Sequence, residues 1–512
     1  MKHTRSAAAL AFVLLMTGCA AGAPGEVTDE IDTDAALRVG VTTIPVNLDP
    51  DQARTYAGAA FYLDPVYDRL LKTNAQGELE PMLATSWEFI DDGATLRLEL
   101  RDDVTFSDDT PFNAEVAKAN LDRSLSEVAG VPIRTTLNSV ASVEVADEFT
   151  LDIHVKPGAG ADVPMMLADP GGYMISGAAL ANPDLDQMPV GSGPYVVTEF
   201  VPNVAASYER RDVEYWGGED QANFATIRVE GVVDPRTLLD SMVSGQYDLI
   251  LVDKDERTDR LADQGYVVLN PTIGYLGVMF NKNRVPEFED ARVRQAFSYA
   301  IDRKAISEVT LGGACFPTQQ MIAPGDIGHI PALDDEYPFD PDRARELFEE
   351  AGIESLDLTA LYIASSPTAE VAEAVQAMLG DVGVSVTLKA TTAPTQTADW
   401  LENTADMRMS SQTSMADKGR LLLRSTNDPI LLGLQSDVVS KASKGLIDSS
   451  LPEDERRDIV MATNTAMVDD VFNIVICHRT GAAVGATNLV GLDEVGSLVR
   501  AGFDYRPLGL TK

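Results

Sequence analysis

Apolar positions along this chain fall into three spacings, and each predicts a different element. An unbroken run comes first, from Ala7 to Met16, behind Lys2 and Arg5. It is too short to span a bilayer, which takes about 20 helical residues, and its length and basic flank suit the apolar region of a secretory signal. Alternation comes next. "LRVGV" (37–41) reads as a strand, and "WEFIDDGATLRLEL" (87–100) as a hairpin with Asp92-Gly93 at the turn and Leu96, Leu98 and Leu100 on one face. Three-to-four spacing marks the helices. Asn113 caps one over 113–125, and Asp290 opens another that carries Val293, Phe297, Ala300 and Ile301. In "FDPDRARELFEEAG", Asp340 caps, Pro341 suits the first helical position and Gly352 the exit, with Ala344, Leu347, Phe348 and Ala351 as the buried stripe. A strand over 356–364, a helix over 368–383 with Val371, Val375, Met378 and Leu379 on one face, and a strand over 384–388 make a βαβ unit. The second half therefore reads as α/β, and residues 70–110 as hairpin-rich.

The apolar run ends in Met16-Thr17-Gly18-Cys19, which resembles the lipobox of bacterial lipoproteins. In those proteins the Cys thiol takes a diacylglycerol and cleavage leaves the acylated Cys as the new N-terminus. The resemblance implies a signal peptide over 1–18, Cys19 as a membrane anchor, and a protein that works on the extracytoplasmic side; a plain secretory signal with an incidental Cys is the alternative. Residues 19–35 follow as a tether, rich in Ala, Gly and acid and too poor in large apolar side chains to fold. The 512 residues carry 40 basic and 80 acidic side chains, a net charge of −40. Loss of 1–18 removes Lys2 and Arg5 and no acid, leaving −42. Such a charge repels nucleic acid and anionic lipid, so neither is expected as a partner. The folded body is too long for one core and implies two or three domains.

Catalytic chemistry finds little support. Past the signal the histidines are His154, His329 and His478, far apart and without a spacing such as H-E-x-x-H. His154 sits in the alternating "FTLDIHVK" and reads as a strand residue. There is no C-x-x-C pair, so no cysteine metal site and no cofactor are expected. Cys315 and Cys477 are compatible with a disulfide and equally with two separate buried thiols. Gly191 and Gly193 flank Ser192 ahead of Pro194, a loop expected to need unusual backbone angles; it is neither G-x-S-x-G nor a phosphate loop with Lys.

Four longer segments, taken in order, are similar to the family 5 extracellular solute-binding proteins, the oligopeptide, dipeptide and nickel receptors of ATP-driven importers. They are "LEPMLATSWEFIDDGATLRLELRDDVTFSDDTPFNAEVAKANLDR" (79–123), "PVGSGPYVVTEF" with "YERRDVEYWGG" (189–218), "LGVMFNKNRVPEFEDARVRQAFSYAIDRKAI" (276–306) and "FDPDRARELFEEAG". The resemblance implies an α/β, two-lobed periplasmic-binding-protein-like fold (type II, cluster C) with an extra subdomain on lobe I. Lobe I takes 36–66, 189–275 and 482–512, the extra subdomain 67–188, and lobe II 276–481. It implies a monomeric, non-catalytic receptor that holds a solute between hinged lobes and delivers it to an ABC permease and ATPase. A peptide is the expected solute, with a metal chelate, an oligosaccharide or a sensing role as alternatives and a lipid-anchored hydrolase as a remote one.

Trp87 and Trp216 lie within these segments and are expected in packing. Peptide-binding relatives hold the ligand's α-amino group with an Asp in lobe II; "ADMRMSSQTSMADKG" (405–419) places Asp417 there, without the neighbouring Trp. The alternative for Asp417 is a surface pair with Lys418 or Arg420. Dipeptide receptors also carry an Arg for the ligand carboxylate at the start of the 368–383 helix, where this chain has Thr368, Ala369 and Glu370.

Overall fold

The computed structural model describes residues 30–512 apart from 53–55, 219–220, 365–366, 416, 428–429, 434–435 and 496–502. Cys19, the apolar run before it and the tether up to residue 29 lie outside the described residues.

A twelve-stranded sheet runs through both lobes. Its lobe II half orders Val384–Thr391, Leu356–Ile363, Met407–Thr413 and Thr272–Phe280; its lobe I half orders Leu249–Asp253, Ala36–Val41, Thr226–Gly231, Ala205–Arg210 and Tyr195–Val201. The strand Ile474–Gly485 stands between them and belongs to both. Cys477 and His478 pair with Leu276 and Tyr275, whereas Gly481 to Gly485 pair with Asp253 back to Leu249. The outward passage of the chain lies beside it. Val267–Leu269 pairs with residues 483–485, Pro271 interrupts, and the ladder resumes at Thr272 opposite Thr480. Two adjacent crossings thus join the lobes. The long strand is buried at both ends and half-exposed only at Arg479 and Thr480, where it passes between cores.

Each part has its own core. Lobe II packs Val278, Phe280, Phe288 and Phe297 with Leu347, Phe348 and the βαβ residues Val371, Val375 and Leu379. Helix Thr368–Asp381 joins two parallel strands there, the βαβ unit that alternation and helical spacing predict. The expected caps form: Asn113, Asp290 and Asp340 accept from the amides of Val116, Arg292 and Arg343. The helix from Asp290 ends at Ala300, however, and Ile301 leaves it in an extended conformation. At the break the Arg303 guanidinium turns back to Ser298 O (3.0 Å), a carbonyl that a continued helix would use, and to Val475 O (2.9 Å) of the shared strand.

The extra subdomain is a four-stranded antiparallel sheet, Ala84–Ile90, Thr95–Leu100, Thr150–Val155 and Val140–Asp147 in spatial order. Leu96, Leu98 and Leu100 all face its core. The loop at Gly191-Ser192-Gly193 docks this subdomain on lobe I, and its glycines differ from expectation. Neither has a positive φ. They are required for space: a Cβ would stand 2.1 Å from Val66 O at Gly191 and 2.7 Å at Gly193. Ser192 Oγ donates to the fully buried Asp68 (2.9 Å), which also accepts from Tyr215 Oη (2.9 Å), Trp216 Nε1 (2.7 Å) and Arg506. Trp216 therefore serves packing, with Arg101 stacked 4.4 Å over its ring.

Cys315 and Cys477 are joined by a disulfide inside the lobe II core, with Cα atoms 5.6 Å apart. Denatured, unreduced protein is expected to show no titratable thiol beyond Cys19. Reduction should cost on the order of 5 kcal/mol in the chain-entropy picture, because the bond links residues 162 apart in sequence; two reactive thiols would refute the bond.

Candidate functional site

Strand Met407–Thr413 ends at the crossing between lobes, and helix Lys418–Asn427 follows it. Asp417 caps that helix. Its Oδ1 accepts from Arg420 N at 2.5 Å and its carbonyl from Leu421 N at 3.0 Å, which places the carboxylate at the positive end of the helix. Gly419 must be glycine, because a Cβ there would meet Leu446 O at 2.5 Å.

Neither neighbouring cation pairs with Asp417. Lys418 Nζ goes to Asp326 (2.6 Å) and Met415 O (2.8 Å). Arg420 reaches away from lobe II into the extra subdomain, to Asp162 (3.1 Å), Asn138 Oδ1 (2.6 Å) and Thr135 O (2.5 Å). The surface pairing with Lys418 or Arg420 is thus replaced by a helix cap whose carboxylate has no ion pair among the described residues. Removal from water, with the charge of Asp162 second, pushes the Asp417 carboxyl up to about 6.

Asp417 lies half-buried on the wall of a cavity of about 1280 Å³. This exceeds the roughly 300–1,000 Å³ of small-molecule pockets. Trp87, Phe89 and Met165 line it from the extra subdomain, Leu269–Thr272 from the crossing, and Arg456, Arg457 and Val460 from helix Glu453–Asp469 of lobe II. Trp87 corrects the expectation of a pure packing role, since it rests against the subdomain core and also faces the cavity. Trp400 is fully buried, with Nε1 donating to Ile430 O at 2.7 Å, and presents no ring to solute. Thr368, Ala369 and Glu370 are not among the described lining residues.

The extra subdomain and lobe II meet along one edge of this cavity. Gly160 bridges to Asp448, Ala161 N donates to Ile447 O (3.0 Å), and Ser449 Oγ bonds Ala159 O (2.6 Å) and Gly93 O (2.7 Å). The hairpin turn explains part of this fit: a Cβ at Gly93 would collide with the backbone of Ser449 at 2.5 Å. Arg420 and Asp162 sit at its centre, the latter with no exposed surface.

The histidines stay apart. His154 Nδ1 faces Thr95 Oγ1 (3.0 Å), His329 pairs with Asp334 (3.0 Å), and His478 is buried against Gln320 O (3.0 Å), where loss of water pushes it down to about 4. Among the described residues no group of three or more His, Cys, Asp or Glu could hold a metal ion. Sequence reasoning missed Arg456, Trp87 as a cavity residue, and the Arg420–Asp162 contact. The spacing of residues 453, 456, 457 and 460 as one helix face was a usable signal; the cross-subdomain pair, joining positions 258 apart, left none.

The family model for bacterial extracellular solute-binding proteins, family 5, matches residues 78–423, and the chain belongs to this family of non-catalytic solute-binding proteins. A Brucella ovis protein named as an ABC transporter peptide-binding protein is 28% identical over 444 residues, covering 82% of this chain and 80% of its own. The glutathione-binding protein GsiB of Escherichia coli is 29% identical over 345 residues, 65% of each chain. Among solved structures, NikA from Brucella suis in complex with Fe(III)-EDTA shares the fold at a TM-score of 0.78 and 23% identity, over 93% of this chain and 100% of its own. Among the described residues no helix is long and apolar enough to cross a membrane.

Removing the Asp162 carboxylate would leave the Arg420 guanidinium buried without a counter-charge, at about 3–5 kcal/mol. Separation of the extra subdomain from lobe II relieves this by rehydrating Arg420. Asp162→Ala is therefore expected to enlarge the radius of gyration in small-angle scattering while thermal unfolding stays cooperative. An unchanged radius would show that this pair does not hold the two parts together.

Proposed function

We propose that this protein is the solute receptor of an ABC importer and that its solute is a peptide, held in the cavity with its α-amino group on Asp417. The observation that carries the reading is the Asp417 carboxylate, fixed at a helix N-terminus on the cavity wall and left without an ion pair. A carboxylate drawn out of water is stabilised by a cation that brings its own N–H donors, as an ammonium group does. Names among the relatives support the class of solute, a peptide-binding protein and a glutathione-binding protein. In this reading lobe I comprises 36–66, 189–275 and 482–512, the extra subdomain 67–188 and lobe II 276–481. The lobes rotate about the two crossings, and solute drives closure by binding the closed form more tightly. Cys19 carries the lipid that tethers a monomeric receptor to the outer face of the cell membrane, and the closed form engages the permease and ATPase.

A second reading, an oligosaccharide stacked on an aromatic ring, is favoured by one observation: Trp87 and Phe89 both line the cavity.

Calorimetry on a pool of short peptides tests the first reading. Asp417→Ala should weaken binding by about 2–5 kcal/mol without loss of folding, whereas a change within ~0.5 kcal/mol would place Asp417 outside the binding site. The pH dependence has a defined sign. The ionised carboxyl holds the ammonium group, and the Asp417 carboxyl is raised to about 6. Affinity should therefore fall as pH drops through about 6, and the fall should disappear in Asp417→Asn. Binding of an oligosaccharide and of no peptide would select the second reading.

The anchor is tested separately by membrane fractionation. Cys19→Ser should release or mislocalise the protein, and an undiminished lipid-labelled membrane pool in the variant would refute the lipid anchor.

A further inference from the structure

The cavity leaves a second charge without an opposite one. Three cations line it among the described residues: Lys418, Arg456 and Arg457. Lys418 is committed to Asp326 at 2.6 Å and Arg457 to Glu453 at 3.2 Å. Arg456 has no ion pair among the described residues. Its Nη1 donates to the carbonyl of Leu451, at the entrance to the helix, and a neutral carbonyl orients a guanidinium without cancelling its charge. The arginine is half-buried and lies on the helix face, with Glu453, Arg457 and Val460, that lines the cavity. The remaining lining acids do not answer it: Glu78, Glu88 and Asp493 are exposed, where water screens them.

Among the described lining groups that are drawn out of water, one carboxylate, Asp417, therefore has no cation and one guanidinium, Arg456, has no carboxylate. We propose that Arg456 is the anchor for the solute's carboxylate, so that the protein selects a zwitterion held by its amine at the first turn of one lobe II helix and by its carboxylate at the first turn of another. Arginine suits this role because its planar fork matches a carboxylate with two parallel N–H donors. The start of the 368–381 helix supplies no cation, having Thr368, Ala369 and Glu370, so Arg456 provides from a different helix what that position lacks.

This inference rests on the peptide reading of Asp417, and the test separates the two. Di- through hexa-alanine, each as the free acid, the C-terminal amide and the N-acetyl acid, are titrated by calorimetry into wild type and Arg456→Gln. Glutamine keeps a donor for Leu451 O, and an unchanged melting temperature confirms that the fold is intact. The free acid is expected to bind wild type, with amidation weakening it about 10- to 100-fold, the range of a charge-assisted hydrogen bond. In Arg456→Gln the free acid should bind as weakly as the amide, and amidation should have no further effect. N-acetylation should weaken binding in both proteins. An amide that binds wild type as tightly as the acid would overturn the role of Arg456, as would a variant that loses acid and amide equally. In either case a persisting cost of N-acetylation would leave the amine site at Asp417 standing. If none of the alanine peptides binds wild type, the peptide reading and the Arg456 anchor fail together.

Discussion

The fold depends on one strand being shared. Ile474–Gly485 gives its first half to the ladder of lobe II and its second half to that of lobe I, and both cores grow on it. At its centre the packing lapses. Arg479 and Thr480 are half-exposed, the partner ladder is interrupted at Pro271, and an exposed pair, Arg479 with Asp253 at 2.7 Å, spans the gap. A ladder that is dry at both ends and wet in the middle concentrates bending where few apolar contacts resist it. The disulfide at Cys477 cross-links the lobe II side of this point.

A second constraint fixes the extra subdomain. Asp68 has no exposed surface and collects Ser192, Tyr215, Trp216 and Arg506, residues drawn from three distant stretches of chain. A buried carboxylate is tolerable only when its hydrogen-bonding capacity is filled. The same requirement explains the glycines beside Ser192, since the loop must lie against the backbone at Val66 for the hydroxyl to reach. These bonds tie the subdomain to lobe I, and its far edge meets lobe II.

That meeting joins the mechanics to the site. The first turn of helix Lys418–Asn427 sends Lys418 to Asp326, Arg420 to Asp162 and leaves Asp417 to the cavity. The Asp162 carboxylate raises the Asp417 carboxyl across this contact, with Arg420 committed to the former. In the proposed receptor, a cation in the cavity would oppose that repulsion and so favour the arrangement in which the two parts meet.

Local signals were enough for much of this. The caps at Asn113, Asp290 and Asp340, the Asp92-Gly93 turn and the βαβ spacing are fixed by neighbours within one or two turns of chain, so they could be read in sequence, and the family segments named the class of protein. The placement of Asp417 at a cavity was legible through its position in such a segment. What the tertiary structure alone decided involves partners far apart in the chain. Arg303, just past the end of the helix after Asp290, takes Ser298 O and reaches Val475 across the core; Gly191 is glycine because Val66 lies against it; Arg420 turns from Asp417 because Asp162 waits in another subdomain. Sequence spacing encodes which face a residue takes on its own element, but a charge's partner depends on which elements the fold brings within hydrogen-bonding reach.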